Sequence, residues 1–166
     1  GKKVLVVADN GMKALSPAIM HMMASEGWTT KKVSTIASPN LGKNGSGWKN
    51  FVSKFSTTGH STVIMKCEDE CIHAMEYNQS NMKAMDDWNV SVRKCHSRIN
   101  PDDPALSIWK EAVDENGNFM SHGTIVVVHN LKDEASSFLK NGLNFTPSGL
   151  KNQTSVGAQL GEVFQK

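Results

Sequence analysis

Three continuous apolar runs constrain the fold of this chain more than any other feature. They span Val4–Ala8, Thr62–Met65 and Thr124–Val128. An apolar run without polar alternation is typical of a strand that is covered on both faces, as the strands of a parallel sheet are. A further strand is predicted over 32–37, and a short one over 143–146. The sequence therefore predicts five strands, most of them buried.

Helix signals separate these strands. Ser16 followed by Pro17 is a typical helix start, and Asp103 followed by Pro104 is another. A long helical region is predicted over 71–99, where apolar residues recur near the helical period. The recurring residues are Ile72, Met75, Met82, Met85, Val92 and Ile99. The tail, 148–166, is predicted to form a last helix.

Strands that alternate with helices favour right-handed βαβ crossovers. We therefore expect an α/β three-layer sandwich with a mostly parallel five-stranded sheet. The flavodoxin-like strand order 2-1-3-4-5 is favoured, and the nucleotide-binding Rossmann order is the nearest rival. The region 71–118 would then be a helical insertion between the third and fourth strands. A chain of 166 residues suits a single domain spanning 1–166.

The spacing of these elements resembles that of a bacterial receiver domain. The matching segments are 4–9, 62–69, 124–130 and 139–147. Receiver domains carry two acidic residues after the first strand, whereas this chain has only Asp9 there. They also carry a lysine before a late proline, where this chain has Thr146 before Pro147. The resemblance implies a similar topology and assigns the chain to no family.

Composition and charge narrow the range of partners. The formal net charge of +2 is too small to indicate a nucleic-acid or membrane surface. No apolar run is long enough to span a bilayer, and the N-terminal residues lack the pattern of a signal peptide. The three cysteines are an odd number, which favours reduced thiols. We therefore expect a cytoplasmic protein without a membrane segment.

Acidic residues follow the first and third predicted strands. Asp9 ends the first, and Glu68 and Asp69 follow the third. In a doubly wound sheet these strand ends meet at the ligand crevice. Carboxylates that converge without a cation between them favour a hard cation such as Mg²⁺. The sequence thus predicts a magnesium site formed by these three residues. The alternative is a turn after the first strand and acids that suit a helix start.

A glycine-rich segment, 41–49, follows the second predicted strand. Its glycines allow backbone amides to point inward, and the predicted helix start beyond them adds a positive dipole. The residues predicted to bind a phosphate or nucleotide are Asn10, Gly11, Gly42, Lys43, Gly45 and Gly47. The segment lacks the P-loop pattern. A plain surface loop is the alternative.

His129 ends the fourth predicted strand and would face the same crevice. We expect it to act as a general base, with Asp69 as the second catalytic candidate. A structural role at the strand end is the alternative. Cys67, Cys71 and His73, with Cys95 further along, are residue types that bind zinc. Their spacing matches no known finger, so ordinary buried thiols are the favoured interpretation.

These features support three functional hypotheses. The first is a domain that handles a phosphorylated ligand or nucleotide, with Mg²⁺-dependent hydrolysis or phosphoryl transfer at the carboxyl edge of the sheet. The second is an inert interaction module whose working surface is the region 71–118. The third is a metal-dependent nuclease, which the lack of a basic stripe disfavours.

Overall fold

A five-stranded sheet forms the centre of the computed structural model. The structure describes residues 3–9, 16–24, 47–85, 90–113, 118 and 120–142. The strands are β1 (Leu5–Asp9), β2 (His60–Lys66), β3 (Ile72–Asn78), β4 (Ser91–Cys95) and β5 (Gly123–Val128). The helices are α1 (Pro17–Met23), α2 (Gly47–Phe55), α3 (Gln79–Met85), α4 (Pro104–Glu111) and α5 (Asp133–Gly142).

The strands lie in the order β1-β5-β2-β3-β4, and every neighbouring pair is antiparallel. Val126 of β5, for example, pairs with Val7 of β1 on one side and with Val63 of β2 on the other. The expected mostly parallel sheet with flavodoxin-like or Rossmann-like order 2-1-3-4-5 is therefore wrong. β1 and β2 do run in the same direction, but β5 lies between them and runs the opposite way.

The apolar runs led to the wrong prediction of a parallel sheet, because such runs indicate burial and carry no information about strand direction. Side chains of β2 alternate between the two faces of the sheet. Ile64 packs in a cluster with Leu106 and Trp109 of α4. Val63, its neighbour, packs in a second cluster with Met20 of α1. Because helices cover both faces, the middle of a central strand is apolar even though the sheet is antiparallel.

β1 departs from this pattern, since most of its residues are exposed and it lies at the edge of the sheet among the described strands. Among the described strands it pairs with β5 alone. Val6 is 49% exposed and Val7 is 46% exposed. The expectation that this apolar run is buried on both faces is therefore wrong. An apolar run can equally mark a strand at the border of a sheet.

The long helix predicted over 71–99 is also wrong, because the segment holds β3, α3 and β4. In β3 the buried residues His73, Met75 and Tyr77 alternate with residues on the other face. The spacing of Ile72 and Met75 fits a helix, but these two residues lie on opposite faces of a strand. The expected helical insertion at 71–118 therefore contributes two strands to the sheet itself.

Two predicted helix starts are confirmed. Ser16 precedes α1 and Asp103 precedes α4, each with a proline in the first turn. The Asp103 side chain accepts a hydrogen bond from the backbone N–H of Ala105. The predicted strands over 32–37 and 143–146 and the predicted tail helix lie outside the described residues. Of the helices that the structure describes, none combines the length and apolar character needed to cross a bilayer.

Candidate functional site

Two histidines and a glutamate converge at one end of the central strands. His60 begins β2, Glu76 lies in β3, and His129 directly follows β5. One ligand atom from each side chain can be chosen so that all three lie within 4.8 Å of one another. Within the described ranges, this is the one such group of His, Cys, Asp or Glu residues.

The strand register places these side chains on one face. Thr62 pairs with Glu76 of β3 on one side and with Val127 of β5 on the other. The N–H of His129 donates to the carbonyl of His60 at 2.9 Å. Because alternate residues of a strand share a face, His60 and Thr62 lie on the same face as Glu76. Side chains from β2, β3 and the end of β5 thus form one polar cluster. The cluster lies on the same face of the sheet as α4, which covers that face nearer the other end of the strands.

Thr62 connects the cluster through hydrogen bonds. Its hydroxyl donates to the Glu76 carboxylate, with distances of 3.0 and 3.2 Å, and lies 2.8 Å from Nε2 of His129. Nε2 of His60 lies 3.1 Å from Oε2 of Glu76. An ionised carboxylate only accepts, and a hydroxyl has one hydrogen. This network therefore favours an Nε2–H on both rings, with that of His60 directed at Glu76 and that of His129 directed at the Thr62 hydroxyl.

The two imidazole rings stack on each other. Their centroids lie 4.3 Å apart and their planes differ by 29°. The stack restricts both rings, so neither histidine is free to swing out of the cluster without losing contact with the other. His60 and Glu76 remain partly exposed. A small ligand can therefore reach the cluster from solvent.

Arg93 of β4 holds the glutamate from the side opposite the histidines. Its Nη1 donates to Oε1 of Glu76 at 3.3 Å, and its Nε and Nη2 donate to Asp103 at 3.2 and 3.0 Å. These bonds raise the pKa of Arg93 and lower the pKa of Asp103. Because Asp103 also caps α4, the position of Glu76 is coupled to that helix.

The predicted magnesium ligands lie elsewhere. Asp9 ends β1 opposite Thr124, and Glu68 and Asp69 lie in the turn that follows β2. Because β1 and β2 run in the same direction, all three acids lie towards the same end of the sheet, with β5 between the strands. These three do not form a group of ligand atoms within 4.8 Å in the part of the chain that the structure describes. Magnesium binding there stays a prediction.

Asp69 does not face a cation-free crevice. Its carboxylate lies 3.1 Å from Nε2 of His73 and accepts hydrogen bonds from the Cys71 N–H at 3.1 Å and from Nζ of Lys94 at 3.2 Å. These bonds, that of His73 first, lower the pKa of Asp69 to about 2. The Asp69 carboxylate is thus already held by His73, the Cys71 N–H and Lys94, and magnesium binding by it stays a prediction.

The remaining predicted residues form two groups, the phosphate-binding candidates and the catalytic candidates. Asn10, Gly11, Gly42, Lys43 and Gly45 lie outside the described residues, and Gly47 is the first residue of α2. His129 lies in the histidine cluster. Asp69, its proposed catalytic partner, follows the far end of β2, so the two are separated by the length of that strand.

Sequence reasoning missed His60 and Glu76. The sequence signal for Glu76 was its place between the apolar residues Met75 and Tyr77, an alternation that fits a strand and that the helical interpretation of the segment concealed. The chain matches no protein-family model and shows no significant similarity to a curated protein. Its function must therefore be inferred from its geometry and chemistry.

Proposed function

We propose that the protein binds a divalent transition-metal ion, Zn²⁺ in the first place, through His60, Glu76 and His129. The proximity of their three ligand atoms is the observation that carries this proposal. Two imidazoles and one carboxylate form a ligand set of catalytic zinc sites, in which a fourth position is left for water. Imidazole nitrogen suits zinc, copper or nickel, whereas magnesium prefers oxygen ligands.

Metal binding at this site is coupled to protons. A histidine nitrogen that donates a hydrogen bond has no lone pair for a metal. An Nε2 that ligates must therefore lose its hydrogen, either to Nδ1 of the same ring or to solvent. Thr62 can keep its bond to Glu76 while its bond to His129 is given up. Arg93 continues to orient the glutamate, as carboxylate ligands of metals generally require.

The activity that we propose for this site is metal-assisted hydrolysis. A zinc-bound water has a pKa of about 7, so it supplies hydroxide at neutral pH. Arg93 already pairs with Glu76 and Asp103, so the phosphate ester that we propose as substrate would be held by the metal ion. The sequence-based expectation of a phosphorylated ligand is the reason for choosing this substrate class. Three free thiols suit a reducing compartment such as the cytoplasm.

Calorimetric titration of the full chain with Zn²⁺ tests the binding. We expect one ion per chain, with the affinity of Glu76→Gln lower by at least about 100-fold, because loss of a ligand should exceed the 10- to 100-fold effect of losing an outer partner. Asp69→Asn is the matched control, since it alters a histidine-paired carboxylate at the other end of β2. Equal affinity in both variants, with folding verified by circular dichroism, would contradict the site.

Two further measurements separate binding from activity. Co²⁺ in place of Zn²⁺ should give a spectrum without the intense charge-transfer bands of thiolate ligands, which excludes the cysteines as the binding site. Hydrolysis of an aryl phosphate should require the metal, stop on chelation and return on reloading. A chain that binds one zinc yet hydrolyses no ester would retain the metal site and overturn the proposed activity.

A further inference from the structure

The turn between β2 and β3 places two cysteines opposite each other. Cys67 follows β2 and Cys71 precedes β3, and the pairing of Lys66 with Ile72 continues one step to them. The N–H of Cys67 donates to the carbonyl of Cys71 at 3.0 Å. Opposed residues of such a pair have Cα atoms about 5.5 Å apart and side chains on one face. That separation lies within the range that a disulfide spans.

The two thiols have unequal surroundings. Cys67 is 1% exposed, and its burial, followed by the charges of Asp69 and Glu68, raises its pKa to about 11. Cys71 is half-buried. Lys94 pairs with His73, so its side chain lies on the same face as Cys71, two residues along the chain, and a hydrogen bond to Cys71 is the first cause that raises the pKa of Lys94. One thiol is therefore reachable and next to a cation, while its neighbour is hidden and protonated.

We propose that Cys71 and Cys67 form a peroxide-sensitive dithiol, in which Cys71 is oxidised first and Cys67 then closes a disulfide across the turn. Cys71 as thiolate attacks one oxygen of hydrogen peroxide, which forms an S–O bond, breaks the O–O bond and, with one proton, releases water. The sulfur of Cys67 then attacks this sulfenic acid. An S–S bond forms, the S–O bond breaks, and the Cys67 proton leaves with the hydroxide as water.

The balance is complete without any other reactant. Two thiols and one peroxide give one disulfide and two waters, and the peroxide is the only oxidant. Reduction by a thiol such as glutathione reverses the change, as in other cytosolic redox pairs. The unequal positions fit these two roles, since an accessible sulfur near a cation reacts with the oxidant and a hidden one waits to resolve it.

This site is separate from the histidine cluster. Cys67 follows the last residue of β2 and His60 is its first, a distance of about 23 Å along an extended strand. By strand parity the cysteines also lie on the other face of the sheet. The two proposals therefore stand or fall independently.

Cys95 provides an internal control. It is buried in the cluster around α4, and burial raises its pKa to about 11. By the register of β3 and β4 it lies opposite Ile72, so its side chain is on the opposite face from Cys71. We expect it to remain reduced while the turn oxidises.

Peptide mapping by mass spectrometry tests the proposal. The reduced full chain is exposed to limiting hydrogen peroxide, denatured, alkylated and digested with trypsin. Lys66 and Lys83 bound one peptide that holds both turn cysteines, and Cys95 falls in another. The 67–83 peptide should lose about 2 Da, the mass of two hydrogens, and take up no alkylating reagent. Cys95 should be alkylated in full.

Variants assign the order of events. Cys71→Ser should leave Cys67 reduced, whereas Cys67→Ser should accumulate a sulfenic acid at Cys71 that dimedone traps. Lys94→Ala should slow the oxidation severalfold and Lys94→Arg should restore it, while Cys95→Ser should behave like the parent. Two outcomes would overturn the proposal. One is a disulfide to Cys95, and the other is sulfinic acid at Cys71 in a peptide whose Cys67 is still a free thiol and is alkylated.

Discussion

The two ends of the β2–β3 hairpin carry similar groups in different settings. At one end a histidine lies beside Glu76, and at the other His73 lies beside Asp69. A cation from β4 reaches each carboxylate, Arg93 in the first case and Lys94 in the second. Because adjacent strand residues point to opposite faces, these two cations serve opposite faces of the sheet.

What differs is how firmly each end is held. Arg93 also pairs with Asp103, whose side chain is 5% exposed and caps α4. Lys94 and Asp69 form a surface pair, and such pairs contribute little to stability. The carboxylate of the histidine end is thus tied through Arg93 to a buried helix cap, whereas the carboxylate of the cysteine end is held by a surface lysine and by groups of its own hairpin. The first arrangement suits a preorganised ligand site, and the second suits a group that must react.

The backbone shows the same contrast. Gly59, just before His60, has φ +63°, and an added Cβ would lie 2.8 Å from Cβ of Gln79. Glu70, in the cysteine turn, has φ 58° without being a glycine. The histidine end therefore requires Gly59, whereas the cysteine end tolerates a residue other than glycine at a positive φ. Three predictions test this comparison.

Gly59→Ala should have the largest effect. A left-handed conformation costs an alanine roughly 1–2 kcal/mol, and the contact with Gln79 adds to this because a Cβ cannot swing aside. We expect the free energy of unfolding to fall by about 2–3 kcal/mol, measured by urea denaturation. Zinc affinity should fall as well, since His60 is the next residue. A loss below about 0.5 kcal/mol would contradict the requirement for glycine.

Glu70→Gly should stabilise the protein. Relief of the left-handed strain gains about 1–2 kcal/mol, while the greater freedom of glycine in the unfolded chain offsets about 0.5–1 kcal/mol. We expect a net gain of about 0.5–1 kcal/mol in the same denaturation experiment. Glu70→Gln, which loses the exposed ion pair with Lys66 but keeps the strain, is the control and should change stability little. Destabilisation by the glycine would show that the turn does not strain Glu70.

The titration of Asp69 should give the smallest effect. Its pKa lies at about 2, below the ordinary value of 3.8, because His73, the Cys71 N–H and Lys94 stabilise the ionised form. Since the folded-state pKa is the lower one, the stabilising contribution is present above about pH 4 and is lost as the pH falls towards 2. Carbon-detected NMR titration should place the midpoint near 2, and His73→Gln should raise it. A midpoint near 3.8 in the parent would show that these bonds do not form in solution.

The sequence predicted what depends on neighbouring residues. Asp103 before Pro104 specifies a helix start through one side chain and one fixed dihedral angle, and that start is confirmed. Strand direction depends instead on which distant segment pairs with which. The run at 124–128 could join a parallel or an antiparallel sheet with the same residues, so the fold class was wrong.

The residues of the candidate site also differ in whether a local sequence signal or the pairing of distant strands identifies them. The sequence predicts a role for His129 because this residue follows an apolar run, which is a local signal. Its association with His60 and Glu76 depends on the register of three strands, and the helical interpretation of β3 hid that register. The cysteine pair was visible as a spacing, but its meaning changed once the segment was known to be a hairpin. Chemistry within one turn can be found from sequence, whereas chemistry across strands needs the sheet.

The place of β5 has a consequence for synthesis of the protein. Its residues emerge from the ribosome last among the described strands, yet it lies between β1 and β2. The β2–β3–β4 meander can pair as it is made, whereas β1 must wait for β5 before it joins the sheet, and such distant pairings form slowly. The cysteine turn is therefore complete early, and the histidine cluster only when His129 arrives. On the two proposals above, the nascent chain would complete its peroxide-sensitive turn before its metal site.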